Sequence, residues 1–322
     1  MGRRKASPMD FIIMARQYGI AIILLTMVIA LLIASPTFRT LQNTINVLNQ
    51  VSINGIISIG MTLVIISGGI DISVGSVIAL ASVLCGAALT ADPNNIALTI
   101  VIAVVGCGLV GLFNGFFVAR YDMFPFVVTL SSMMIIRGCA YVVSNGKSYV
   151  LKSDPFKEIG QGKLFDIIPY SVLVFAGVCV VGYVLLSHTK FGRYLYAVGG
   201  NTRAAMASGI NVGLIRMCAY MAIGLFTGIA GVLLTSRVNA GQPAIGVGYE
   251  TDAIAATVIG GVSLNGGIGT IGGTVIGILI IGIINNGMNL IGVSSFYQQI
   301  VKGFIILGAV VMDIKISRHK AS

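Results

Sequence analysis

Long apolar runs, each ended by a short polar or glycine-rich stretch, recur along the chain at roughly 18–35, 46–67, 74–91, 96–119, 124–145, 168–187, 216–236, 251–264, 270–291 and 298–313. A helix needs about 20 apolar residues to cross a hydrocarbon layer of about 30 Å. The pattern therefore predicts an all-α fold: a polytopic transmembrane helical bundle of about ten spans, some of them broken or re-entrant. The interruption "VIGGVSLNGGIGTIGG" marks one break. The implied organisation is a cytoplasmic N-terminal segment (1–17), a membrane domain (18–313) with a cytoplasmic loop at 188–216, and a cytoplasmic tail (314–322). The opening "MGRRKASPMDFIIMARQYG" and the apolar run after it imitate a secretory signal. The many later spans favour an uncleaved first span instead.

Composition agrees with this reading. Of 322 residues, 56% are hydrophobic and 9% charged, against about 25% charged in soluble domains. An even number of spans puts both termini on one face. With that face cytoplasmic, twelve Lys and Arg lie inside and six outside, while Arg137 and Lys302 fall within spans. That asymmetry follows the positive-inside rule, so the net charge of +10 reads as a topology signal and implies no nucleic-acid partner. The five cysteines are scattered singly through the spans, without the spacing of a disulfide framework or zinc site. With only two histidines, His188 and His319, the chain offers no buried histidine pair, and an enzyme is not expected.

Three phosphate-loop lookalikes are discarded. "NGKS" at 145–148 has Tyr141 where the loop's first glycine belongs, and "GCGLVG" (106–111) and "GIGTIG" (267–272) lie in membrane sequence, not in a strand–turn–helix unit. The chain is thus expected to hold no cofactor. Glycines four apart, at 111 and 115, 224 and 228, 273 and 277, predict close helix packing.

The chemistry concentrates at the breaks. In "ISGGIDISVGS", Asp71 stands in apolar surroundings, where a carboxylate facing lipid costs about 2.5 to 3.5 kcal/mol. It must face protein or a wet cavity. Asp71 or Ser73 can cap a helix starting near Val74, or Asp71 can touch a transported solute. The stretch "GGVSLNGG" (260–267) offers Ser263 and Asn265 as a second break, and interrupted helices are where transporters place their sites. Uncharged polar residues along the spans, Asn54, Thr62, Asn114, Asn285, Asn286 and Asn289, suit a neutral hydroxyl-bearing solute, while hydrogen bonding between helices is the favoured alternative for each asparagine taken alone. Asp71, Ser73, Gln242, Tyr249, Asn285 and Asn289 are the expected pathway residues. The outer segments around 147–163 and 239–252 are expected docking surfaces.

In the internal loop, Asn201 is a helix N-cap, "TRAAMAS" a short alanine-rich helix and Gly209 its left-handed terminator. Such a helix suits a groove on another protein, with the headgroup surface of the membrane lipid as the alternative.

Several long stretches together resemble a known family. They are "GMTLVIISGGIDISVGS" (60–76), "GRYLYAVGGN" (192–201), "SGINV" (208–212), "QPAIGVGYETDAIAATVIGG" (242–261) and "NNGMNLIGVSSFYQQIVKG" (285–303). The chain is similar, from about Ile20 to Asp313, to membrane permease subunits of bacterial ATP-binding-cassette importers for ribose and related monosaccharides. The resemblance implies a bacterial inner-membrane protein paired with a second permease copy or paralogue, a cytoplasmic ATP-binding subunit and a periplasmic sugar-binding protein. It also implies that 199–209 is the coupling helix, with Gly199, Gly200, Asn201, Ala204, Ala205, Ser208 and Gly209 against the ATPase. Where the family often has an acidic residue after the asparagine, this chain has Thr202 and Arg203. The competing readings are an ion-coupled secondary transporter using Asp71, an amino-acid permease of related architecture, and a channel or structural membrane protein.

Overall fold

The computed structural model describes residues 21–22 and 24–321, with side chains described as far as Val311. The N-terminal segment 1–17, the start of the first expected span and the side chains of the tail lie outside the described residues.

The membrane helices are α1 (Leu24–Ala34), α2 (Leu41–Ile66), α3 (Val74–Ala91), α4 (Ile96–Arg120) and α5 (Pro125–Ser144), followed by the short α6 (Asp154–Gln161) and by α7 (Tyr170–His188). Two short helices, α8 (Lys190–Gly200) and α9 (Thr202–Ala207), precede α10 (Val212–Val238), α11 (Tyr249–Ile259), α12 (Ile271–Leu290) and α13 (Ser295–Ala321). Among the described residues α2, α3, α4, α5, α7, α10 and α12 are long and apolar enough to cross a membrane. The chain is a polytopic helical membrane protein. The expected span at 251–264, next to the break expected after it, is the short α11, which at eleven residues covers only about half a bilayer at 1.5 Å per residue. The last helix starts at Ser295 and continues to Ala321, beyond the expected end at 313.

Side-chain caps fix many helix starts. Thr40, Asn95, Thr189, Asn201, Asn211 and Thr270 each accept an N–H from the first turn of the helix that follows. Pro125 opens α5, and Asn145 closes it in left-handed conformation with φ 49°.

Helix α2 is the axis of the bundle: every residue from Val51 to Ile66 is buried. Its polar residues find partners on helices distant in sequence. Asn43 and Asn286 exchange amide hydrogen bonds of 3.1 and 2.8 Å, and the hydroxyls of Thr62 and Thr274 lie 2.6 Å apart. The spaced glycines pack as expected. Gly111 of α4 lies against the Tyr220 carbonyl and Gly224 of α10, and Gly228 meets Val104 and Cys107. Gly273 and Gly277 of α12 press on the backbone of Gly260 and Ala256. A Cβ at these glycines would enter backbone atoms, so the small residues set the interhelical distance.

The two ends of the bundle differ. At one end α6 is tied to the last turn of α10, where Ser236 Oγ donates to the Phe156 carbonyl at 2.5 Å and accepts from Gly160 N at 2.7 Å. There β1 (Tyr149–Val150) also pairs antiparallel with β4 (Ala240–Gly241), and β2 (Lys163–Leu164) with β3 (Ile168–Pro169). The opposite end carries α8 and α9.

Candidate functional site

The first break, Ser67 to Ser73, follows α2 at the α9 end. Asp71 is 2% exposed. Its Oδ1 accepts from the Ser73 amide at 2.8 Å and the Ser73 hydroxyl at 2.6 Å. Asn114 Nδ2 of α4 donates to Ser73 Oγ at 3.0 Å and reaches Asp71 Oδ2 at 3.5 Å. Ser73 is the N-cap residue of α3 but makes no side-chain cap bond. The capping expectation is thus corrected: Asp71 closes a turn around Ser73 and does not cap the amides of α3. Tyr220 of α10 clamps the same break, donating to the Ile70 carbonyl at 3.0 Å. A cavity of about 230 Å³ opens beside it, lined among others by Ser67, Gly68, Asp122, Arg216 and Tyr220.

Helix α3 begins part-way across the bundle. The Val77 carbonyl accepts a 3.5 Å contact from Cys107, near the centre of α4. A second helix starts at the same depth. After α10 the chain turns back inward through 239–248: Gln242 N donates to Ser82 Oγ at 3.0 Å, and Gly246 reaches Gly75 and Ile78. From there α11 runs to the α9 end. Gly75, in the first turn of α3, faces the Glu250 carboxylate in the first turn of α11, so α3 and the short α11 meet N-terminus to N-terminus. Acidic side chains are favoured there by the positive end of each helix dipole, and α11 carries both Glu250 and Asp252 in its first turn. Arg137 holds the returning segment, donating to the carbonyls of Pro243 and Ile245 at 2.8 and 2.7 Å.

The chain breaks at 260–267 as expected, between α11 and α12, and 239–248, expected on the outer surface, is a further interruption that turns inward to the start of α3. The stretch 260–267 links α11 to α12 at the α9 end. Gly267 N donates to the Ile66 carbonyl at 2.9 Å, Gly199 fits against both groups, and Gly266 touches Gly199 and Gly68. Tyr196 of α8 adds a bond of 2.7 Å to the Gly269 carbonyl. Three chain ends thus meet backbone to backbone: the end of α2, the end of α8 and the link 260–270.

In the 199–209 region, Gly199 and Gly200 finish α8, and a new helix begins after Asn201, which accepts from Ala204 N at 2.9 Å. Gly209 follows with φ +79°. Ala204 and Ser208 are exposed, whereas Ala205 is buried against the bundle. Arg216 ties α9 to the α4–α5 turn, through Thr202 Oγ1 at 3.4 Å and Asp122 Oδ1 at 3.2 Å.

The six expected pathway residues do not form one cluster. Asp71 and Ser73 share the first break, Gln242 in the returning segment bonds Ser82 of α3 through its backbone N–H, and Tyr249 begins α11. Asn289 is exposed and accepts from Gln298 at 2.7 Å. Asn285 belongs to a group the sequence reading missed. Its Nδ2 donates to Asp252 Oδ2 at 3.4 Å, as does Asn54 Nδ2 at 3.3 Å, and Lys302 Nζ lies 2.8 Å from Asp252 Oδ1. Asp252, assigned from sequence to an external docking segment, is buried at 7% exposure. The available signal was Lys302, a cation within a span that requires a partner.

A family model described as branched-chain amino acid transport system / permease component matches residues 43–310. The chain is 44% identical over 295 residues to the ribose import permease protein RbsC of Bacillus subtilis (strain 168), covering 91% of each chain. It is 42% identical over 308 residues to RbsC of Escherichia coli (strain K12), covering 94% of each. To the L-arabinose ABC transporter permease protein AraH of Azospirillum brasilense it is 37% identical over 295 residues, 92% of this chain and 86% of that one. No solved structure matches.

Proposed function

This chain belongs to the permease family described as branched-chain amino acid transport system / permease component, and from that premise we propose that it forms the membrane path of an ATP-driven importer for ribose or a related monosaccharide. The observation that carries the reading is the 44% identity to a ribose import permease over nine-tenths of both chains. The relatives named for ribose and arabinose outweigh the amino-acid wording of the family description, since they match nearly the whole chain. The polar chemistry inside the bundle agrees: amides and hydroxyls predominate, as a neutral polyol requires.

ATP hydrolysis is assigned to a separate cytoplasmic subunit, delivery to a periplasmic sugar-binding protein, and the complete path to a pair of permease chains in the inner membrane with their termini in the cytoplasm. The ATPase is proposed to seat on α9. A push there reaches the breaks directly, because α9 adjoins α8, and Gly199 of α8 abuts both Ile66 and Gly267. Arg216 carries the same displacement to the α4–α5 turn, and Tyr220, one turn further along α10, carries it to Ile70. Movement of these contacts opens the path alternately to the two sides.

The test is reconstitution in proteoliposomes with an ATP-binding subunit and a ribose-binding protein. Ribose should accumulate only when ATP and both partners are present, and dissipating ion gradients should leave accumulation intact. Accumulation by the chain alone, driven by an ion gradient, would establish the secondary-transporter alternative.

A further inference from the structure

We propose that Asn54, Asp252, Asn285 and Lys302 form a contact site inside the membrane for the hydroxyls of the transported solute, a neutral polyol of monosaccharide size. The inference rests on the importer reading above and adds the place and chemistry of the contact. The four residues come from α2, α11, α12 and α13, and Asp252 sits in the first turn of the half-helix α11. Three donors converge on one carboxylate oxygen: Asn54 at 3.3 Å, Asn285 at 3.4 Å and Lys302 at 3.1 Å.

That convergence leaves two acceptors over. Asn54 Oδ1 and Asn285 Oδ1 are buried and receive no hydrogen bond. Turning either amide over would place its oxygen against the carboxylate, so the shortage of donors belongs to the residue set and not to the amide orientation. Buried acceptors without donors are uncommon and costly. Here they stand beside an ion pair whose charges cancel. Lys302 disfavours a cation and Asp252 an anion, whereas sugar hydroxyls both donate and accept. Lys302 also provides a means of admission. Its long stem lets the ammonium withdraw without moving a helix, and its side chain is the least buried of the ion pair, at 23% against 10%.

The test uses the complete importer in proteoliposomes with D-ribose as the probe. Asn285→Cys, or Asn54→Cys should the first fail to assemble, is exposed to a small thiol reagent, and modification at that position is read by mass spectrometry. The expected result is modification in the ATP-supplied complex that saturating ribose suppresses, together with a loss of about tenfold or more in ribose uptake for Asn285→Ala. Modification that ribose does not change, or wild-type uptake by Asn285→Ala, reduces the cluster to a staple between helices and overturns the proposal while the importer reading stands. A wild-type complex that accumulates no ribose overturns both.

Discussion

Asp71 spends one carboxylate oxygen on two donors of Ser73 and turns the other toward Asn114. Asparagine in its place keeps an acceptor for Ser73 but sets an NH₂ group against the NH₂ of Asn114. Asp71→Asn should therefore insert normally and retain part of the uptake. Asp71→Leu strands the Ser73 amide and hydroxyl, and hydrogen bonds to a charged acceptor are worth about 1.5–3 kcal/mol each. This variant should lower the melting temperature of the purified protein and abolish uptake. Full activity in the leucine variant would show that the turn around Ser73 does not depend on the carboxylate. At this scale the sequence was informative about need and uninformative about partners. A carboxylate in an apolar run has to be satisfied, and Asp71 is, by a neighbour two residues away. Arg137 and Lys302, the two cations within spans, reach carbonyls and a carboxylate about 106 and 50 residues away, distances that no local pattern encodes.

At the scale of elements, α9 shows how far local chemistry carries. Asn201 and Gly209 mark its ends in sequence as they do in space, because a side-chain cap and a left-handed glycine are local devices. Its two alanines nevertheless differ, since Ala205 is buried at 4% while Ala204 is exposed. Ala204→Trp is therefore the clean probe of docking, and it should cut ATP-dependent ribose uptake by about tenfold or more with no loss of thermal stability. Unchanged uptake would overturn the proposed seating of an ATPase on α9. The same substitution at Ala205 would overpack the bundle, at a cost of about 1–3 kcal/mol, and could not separate docking from folding. Full spans were equally legible. Helix α3 covers the expected 74–91 because Gly68, Gly69 and the turn "ADPNN" bracket it. The break after α11 was legible in its glycines, but the depth at which a helix begins was not, since hydropathy measures how oily a stretch is. The Gly- and Pro-containing 239–248 passed for an outer loop although it folds back to Gly75.

For the molecule as a whole, the arrangement of α2 decides more than its own pairings. It is among the less hydrophobic of the seven long helices and is wrapped by α7, α10, α11 and α12. Two of its asparagines, Asn43 and Asn54, find their hydrogen-bond partners on α12 and α11, 243 and 198 residues later in the chain. During biosynthesis α2 must therefore wait for α11 and α12 before those amides are satisfied. A polypeptide stopped after residue 247 should be recognised by membrane quality control and cleared faster than the full chain, which pulse-chase labelling would measure; equal lifetimes would mean that α2 tolerates the wait. The early part of this protein is in effect provisional until its last quarter has been made, and on this prediction premature termination before that point would yield an orphan and not a smaller working unit.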